Sequence, residues 1–251
     1  MTSHDATTMP AEDAPSAPDG QARRVAVVGF GAIGRALAGL WAAAGQDVVV
    51  GTRQPERLPD TDDVDLPGLR YVHWTEAISE SDVVALAVPH LALDDIVSQW
   101  RPEWSGKVII DPTNPVDLSA DGRLISGLTE PGTVGEALAR RLPSVQVVRA
   151  FTHIQDELLP SRSRRQPGLW AVAMAGDDAA AKARVSELIL ATGYVPVDLG
   201  GLAESAPLDP GGVLFPNMFT VSDMRSRVAE SIQTQRLTAG QPMAGSLSEI
   251  E

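Results

Sequence analysis

The 251-residue chain has no cysteine and only four histidines, at His4, His73, His90 and His153. Without cysteine it can form no disulfide, thiolate metal site or iron–sulfur cluster, and it has no cysteine nucleophile. No two histidines form an H-x-x-x-H pair, so we predict no metal site. Aromatic residues make up only 4% of the chain, which argues against an aromatic-cored sandwich.

Long apolar runs are also missing, since no segment approaches the ~20 apolar residues that span a bilayer. Residues 1–21 are polar and contain Pro10, Pro15 and Pro18, so we predict a disordered leader rather than a secretory signal. The formal net charge is −13, which makes nucleic acid and anionic membranes poor partners. We therefore expect a cytoplasmic protein with no nucleic-acid or membrane partner.

What the chain has in quantity is apolar residues, 43% of the total and mostly Ala, Val and Leu. Short apolar runs alternate with Ala-rich amphipathic stretches, which predicts strands alternating with helices. The predicted strands are 25–28, 47–50, 70–73, 82–88, 107–110, 145–150, 169–175 and 194–197. The predicted helices are 32–44, 91–100, 133–141 and 179–192. This order is typical of an α/β, Rossmann-type, doubly wound fold with a mostly parallel sheet of about eight strands.

The domain organisation is predicted from the same pattern. We expect a Rossmann domain over residues 22–208, a small C-terminal helical lobe over residues 209–236 that Pro216 interrupts, and a polar tail over residues 237–251. Three stretches are predicted to be loops, at 54–69, 116–132 and 160–168. No clean linker separates two independent domains.

A glycine motif follows the first strand directly, with the order Gly29-Phe30-Gly31-Ala32-Ile33-Gly34. Gly29 permits a tight turn, Gly31 lets the backbone approach a pyrophosphate, and Gly34 lets the following helix pack on the strand. The free amides and the dipole at the helix start favour a phosphate group. The strand–motif–helix–strand context makes a dinucleotide site a better interpretation than a plain βα turn.

The second strand ends in Gly51-Thr52-Arg53, and no acid follows it. An NAD site normally has an Asp or Glu there for the ribose 2′-hydroxyl. Thr52 offers a hydroxyl and Arg53 a planar fork suited to a phosphate, and Arg57 is one turn further. We therefore predict NADP(H), although a solvent-facing Arg53 is the plain alternative.

Ligands in open α/β sheets bind at the carboxyl ends of the strands. Val88, Pro89 and His90 follow the fourth strand, and we expect them to flank the dinucleotide. The turn containing Asn114 and Pro115 follows the fifth strand and is expected at the edge of the nicotinamide pocket, although turn chemistry alone explains these residues equally well.

His153 follows the sixth strand and is the candidate catalytic proton donor, with His90 second. For each of these two side chains, a structural or surface histidine remains an open alternative.

The sequence resembles the NADPH-dependent coenzyme F420 reductase family over about residues 25–208. The segments that carry the resemblance are Gly29–Gly34, Val48–Arg53, Ile109–Pro115, Val147–Phe151 and Ala175–Asp178. The resemblance implies hydride transfer between NADPH and a deazaflavin, with coenzyme F420 as the candidate second substrate. It implies no obligatory protein acid or base, and it assigns the Gly-Thr-Arg strand end to the 2′-phosphate.

Two other functions stay open at this point. One is an NADPH-dependent reductase of an imine or carbonyl, which needs a proton and would use His153. The other is a non-enzymatic NADP(H) sensor. The apolar stretch Val213–Met224 also predicts a homodimer, because it would otherwise expose apolar side chains.

Overall fold

The computed structural model describes residues 24–57, 69–163 and 168–238, with side chains up to residue 234. The predicted leader (1–21) lies outside the described residues, as does the predicted tail from residue 239 on. Most of the predicted loop 54–69 and part of the loop 160–168 also lie outside them.

Eight strands form one sheet, and two more form a separate hairpin. The order across the large sheet is β10-β9-β8-β5-β4-β1-β2-β3. The strands are β1 (Val25–Val28), β2 (Val48–Thr52), β3 (Arg70–His73), β4 (Val83–Leu86), β5 (Val108–Asp111), β6 (Val116–Leu118), β7 (Leu124–Ser126), β8 (Gln146–Ala150), β9 (Ala171–Gly176) and β10 (Val195–Asp198).

The predicted α/β fold with a mostly parallel sheet of about eight strands is confirmed. Six neighbouring pairs run parallel, and the exception is β8 with β9, which pair antiparallel. The strand order reverses at β1, because β2 and β3 follow on one side of β1 and β4 and β5 are added on its other side. This reversal next to β1 is the place where Rossmann sheets open a crevice for a ligand.

Helices cover both faces of the sheet, which explains why the strands are nearly all apolar. Val25 and Val27 of β1 belong to one buried cluster, and Ala26 and Val28 to the other. The first cluster includes side chains of α1, α5 and α6, and the second those of α2, α3 and α4. The helices are α1 (Ala32–Ala43), α2 (Trp74–Ser79), α3 (Leu93–Ser98), α4 (Val134–Arg141), α5 (Leu158–Ser163), α6 (Ala179–Ala191) and α7 (Val221–Thr238).

Three local features differ from the sequence-based predictions. The predicted loop 160–168 begins inside α5 (Leu158–Ser163). The stretch 116–132, predicted to be a loop, contains the β6–β7 hairpin, in which Ser119 donates its backbone N–H to Arg123 O and Gly122 has a φ of +80°. Helix α2 was not predicted, because six residues are too few to show a helical period.

The C-terminal segment packs on the β9–β10 side of the sheet. Leu208, Leu214 and Met224 are buried in one cluster with side chains of β9 and β10. The apolar residues of Val213–Met224 therefore contact their own chain to a large extent, which removes much of the reason for expecting a dimer interface there. The homodimer and the cytoplasmic location stay predictions. Among the helices in the described ranges, none is both long and apolar enough to cross a membrane.

Candidate functional site

A cleft of about 420 Å³ opens at the carboxyl ends of the parallel strands. Its walls come from the start of α1, from the segments that follow β4, β5 and β8, and from the C-terminal segment at Phe215 and Pro216. Seven residues predicted to bind the cofactor line this cleft: Gly31, Ala32, Ile33, Val88, Pro89, His90 and Asn114. The structure thus brings together residues from three separate loops.

The glycine turn allows α1 to begin close to the sheet. Gly29 has a φ of +100°, and a Cβ atom there would lie 2.2 Å from the carbonyl oxygen of Ala87. A Cβ atom on Gly34 would lie 2.2 Å from the carbonyl oxygen of Gly29. Gly29 also donates its backbone N–H to the carbonyl of Gly51, at 2.8 Å, which fixes the turn to the end of β2. Gly29 and Gly34 therefore serve the fold of the turn itself.

Gly31 has a different role, because a Cβ atom there would meet nothing within 4 Å. Gly31 is the N-cap of α1, no side chain caps the helix, and the first turn contains no acid. The backbone N–H groups of that turn are therefore available to an anion, which the helix dipole also favours. This arrangement fits the pyrophosphate of a dinucleotide.

We predict that Gly31→Ala folds almost normally but binds NADPH poorly. Its φ of −74° suits alanine, so the free energy of unfolding should change by less than about 1 kcal/mol. The added methyl group would occupy the place of the pyrophosphate and weaken NADPH binding by roughly tenfold or more. Thermal unfolding and NADPH titration of the same sample separate the two effects, and unchanged NADPH affinity would contradict this placement.

The end of β2 carries an unpaired hydroxyl group. Thr52 Oγ1 is buried and has no hydrogen-bond partner among the described residues. Arg53 follows Thr52 in the chain and is exposed, and Arg57, also exposed, donates a long hydrogen bond of 3.4 Å to Gln54 Oε1. An unpaired buried hydroxyl beside cationic side chains fits the 2′-phosphate of NADP(H).

The segment after β4 places a half-buried histidine in the cleft. Val88 and Pro89 line the wall, and the His90 Nδ1 atom lies 3.2 Å from Thr113 Oγ1. Burial lowers the pKa of His90, and the charge of Asp111 opposes this shift in part. Burial thus favours the neutral imidazole of His90, which can donate or accept a hydrogen bond in the cleft.

The Asn114 side chain is fixed by two hydrogen bonds within the protein. Its Nδ2 atom donates to the carbonyl oxygen of Thr152 at 2.9 Å, and its Oδ1 atom accepts from Arg149 at 3.1 Å. Pro115 is buried and lies outside the lining of the cleft, and its carbonyl oxygen accepts from the backbone N–H of Gly127. The Asn114 turn therefore presents mainly backbone atoms and the Thr113 side chain to the cleft.

Arg149 is the most important residue that the sequence did not single out as functional. Its guanidinium is fully buried and forms ion pairs with Asp111 at 2.9 Å and with Asp209 at 3.0 Å. It also donates to the carbonyl oxygen of Thr113 at 2.7 Å. Arg149 thereby connects β5, the Asn114 turn and the C-terminal segment. A charged residue inside the apolar run of β8 was the available signal.

The structure places His153, the candidate proton donor, away from the cleft. Its side chain is fully buried and lies outside the lining of the cleft. The Nε2 atom accepts from the backbone N–H of Ala173 at 3.1 Å, and Nδ1 lies 2.8 Å from the carbonyl oxygen of Asn217. Phe151 has a φ of +63°, which turns the chain after β8. Thr152 and Ile154 consequently line the cleft, whereas His153 does not.

We predict that His153→Gln keeps its turnover within roughly tenfold of the wild type, because loss of a general acid costs roughly 100-fold or more. Steady-state kinetics at pH 7 check this prediction. A loss of 100-fold in a folded variant would restore the role of His153 as a proton donor.

The same variant should show a distinct pH dependence of stability. Burial lowers the pKa of His153 from 6.5 to about 4. Between these two values the unfolded chain binds a proton that the folded chain does not, so stability falls as the pH drops through this window. The slope reaches up to about 1.4 kcal/mol per pH unit. Urea unfolding from pH 7 to pH 4 should show that His153→Gln lacks this component.

Comparison with known proteins shows where the chain belongs. Residues 24–115 match the family described as NADP oxidoreductase coenzyme F420-dependent. Metalloreductase STEAP3 from Rattus norvegicus is 30% identical over 190 residues, which are 75% of this chain and 36% of that protein. The F420-dependent NADP reductase of Methanothermobacter thermautotrophicus is 29% identical over 150 residues, 54% of this chain and 63% of that protein. The chain thus spans less than two thirds of the length of either relative.

A crystal structure of a hypothetical protein from Sinorhizobium meliloti is 30% identical, with a TM-score of 0.71, and covers 79% of this chain and 95% of that one. The fold and the glycine turn define a Rossmann-type α/β protein, and residues 24–115 are similar to a family of NADP oxidoreductases. Within that class it belongs to the same family as the Sinorhizobium meliloti protein. The resemblance to the F420-dependent NADP reductases that the sequence predicts is confirmed.

Proposed function

We propose that the protein transfers a hydride between NADP(H) and a deazaflavin of the coenzyme F420 type. The observation that carries the proposal is the cleft itself. It joins the start of α1 to three strand ends, and the predicted proton donor His153 lies outside its lining. The names of the matching family and of the Methanothermobacter relative support the choice of acceptor.

NADPH, when bound, supplies the hydride, and the protein holds and orients the two rings. Gly31 leaves room for the pyrophosphate at the start of α1. Thr52 and Arg53 hold the 2′-phosphate, with Arg57 close by. Val88 and Pro89 flank the dinucleotide on the side of β4 and exclude water from it.

A deazaflavin fits this cleft better than an imine or a carbonyl. Reduction of an imine or carbonyl needs a proton, and the His153 side chain is buried with both ring nitrogens in hydrogen bonds. His90 lines the cleft, but burial lowers its pKa and so favours the neutral imidazole.

A second candidate acceptor is a complexed metal ion. It rests on the similarity to a metalloreductase, which covers 75% of this chain. In the described part of the chain, no group of three or more His, Asp or Glu side chains could hold a metal ion. A metal ion would therefore act as an external substrate.

The test is an anaerobic assay with purified protein, NADPH and coenzyme F420, followed by loss of the deazaflavin absorbance. We expect rapid NADPH-dependent bleaching and little bleaching with NADH. Parallel cuvettes contain ferric citrate, a cyclic imine or a ketone. If NADPH is oxidised with one of these compounds and F420 is not bleached, that compound and not a deazaflavin is the acceptor. Tight NADPH binding with no turnover in any cuvette would favour the remaining alternative, a non-enzymatic NADP(H) sensor.

A further inference from the structure

A row of three side chains crosses the sheet near the end of β2. Arg35, in the first turn of α1, places its guanidinium over the ring of Phe30, 5.8 Å from the centroid. The Phe30 ring meets Tyr71 of β3 edge-on, with 5.2 Å between centroids. Since β2 lies between β1 and β3, this row passes over β2 on the face that α1 covers.

Thr52 lies on the same face of β2. Val48 and Val50 belong to the cluster under α1, and side chains alternate along a strand. Thr52, two residues after Val50, therefore faces the same side as Arg35. Its buried Oγ1 atom without a hydrogen-bond partner gives an independent sign that a polar ligand group belongs there.

Two arginines at this place lack an ion-pair partner in the described part of the chain. The formal net charge is −13, yet the ion pairs among the described residues include neither Arg35 nor Arg53. Arg35 is held instead by its contact with the Phe30 ring. An arginine over an aromatic ring keeps its donors free for an anion.

We propose that Arg35 is a further residue that determines the preference for NADPH, because it contacts the 2′-phosphate from the side of α1. Arg53 contacts the same group from the loop that follows β2. Phe30 holds the Arg35 guanidinium over the end of β2, and Thr52 donates its hydroxyl proton to the phosphate. This inference rests on the proposed NADP(H) site and adds Arg35, on the side of α1, to the residues that bind the 2′-phosphate.

The test compares Arg35→Gln with Arg101→Gln. Arg101 is a matched control, because its guanidinium lies over the Trp104 ring at 5.4 Å and it is not a cleft residue. NADPH, NADH and 2′,5′-ADP are titrated into each protein, and thermal unfolding confirms that each is folded. We expect Arg35→Gln to weaken the binding of NADPH and of 2′,5′-ADP by roughly tenfold. The affinity for NADH should stay within twofold of the wild-type value. Arg101→Gln should change none of them.

Arg35→Lys provides a second variant if Arg35→Gln does not fold. Because the charge stays but the planar fork is lost, its affinity for NADPH should lie between those of the wild type and Arg35→Gln. Equal weakening of NADPH and NADH would overturn the proposal, since Arg35 would then contact a part that both cofactors share. Unchanged NADPH affinity would also overturn it. If the wild type already binds both cofactors equally, the NADP(H) site itself fails, which is a different result from loss of Arg35 alone.

Discussion

Arg149→Met should lower the free energy of unfolding by about 3–5 kcal/mol, because it leaves two buried carboxylates without their cation. Asp111 is fully buried, and Asp209 is nearly so. Burial already raises the pKa of Asp209, and Arg149 opposes that rise. Urea unfolding at pH 7 measures the effect. The variant should also lose NADPH binding, since Arg149 fixes the Asn114 turn.

Arg141→Met is the matched control for this prediction. Arg141 forms an ion pair with Asp94, whose side chain is 75% exposed, so its loss should cost about 1 kcal/mol or less. Arg149→Lys keeps the charge but lacks the planar fork, and its stability should lie between those of the wild type and Arg149→Met. A loss of less than 1 kcal/mol for Arg149→Met would show that the cluster does not hold the strand ends together.

Arg53→Ala should weaken NADPH binding by about 10- to 150-fold, which corresponds to about 1.5–3 kcal/mol for a hydrogen bond to a charged group. NADH lacks the 2′-phosphate, so its affinity should stay nearly constant. Arg53 is exposed and forms no ion pair with any acid in the described ranges, so the variant should fold normally. Fluorescence titration with both cofactors measures the difference.

Arg123→Ala is the control for Arg53→Ala, because Arg123 is exposed on the β6–β7 hairpin and pairs with Asp121. It should bind both cofactors as the wild type does. An equal loss of NADPH and NADH affinity in Arg53→Ala would mean that Arg53 contacts the adenine or the pyrophosphate, and it would remove the main reason for assigning NADP(H).

The glycine turn and the end of β2 could be predicted from the sequence because their geometry is local. Gly29, Gly31 and Gly34 stand at fixed positions between a strand and a helix, and the steric contacts at Gly29 and Gly34 are those that the motif implies. The sheet could be predicted for a similar reason, since strands buried on both faces are short and continuously apolar.

The Arg149 cluster could not be predicted in the same way. Arg149 lies 38 residues from Asp111 and 60 from Asp209 in the chain. These partners can be identified only when the fold shows that β5 and β8 are neighbours and where the C-terminal segment lies. Phe215 and Pro216 reach the cleft for the same kind of reason, because the C-terminal segment folds back along β9.

The position of His153 outside the cleft follows from the backbone conformation just before it. Convergence of the strand ends was expected correctly, and Thr152 and Ile154 do line the cleft. The left-handed conformation of Phe151, with a φ of +63°, is rare for a residue with a side chain and is not readable from the sequence. It turns His153 toward Ala173 and Asn217 instead.

The central claim is that the cleft at the strand ends binds NADP(H) and distinguishes it from NAD(H). The most direct measurement is calorimetric titration of the wild-type protein with NADPH and with NADH at the same ionic strength. We predict that NADPH binds at least about tenfold more tightly, as one charge-assisted contact to the 2′-phosphate requires. Equal affinities, or tighter binding of NADH, would contradict the assignment of Thr52 and Arg53.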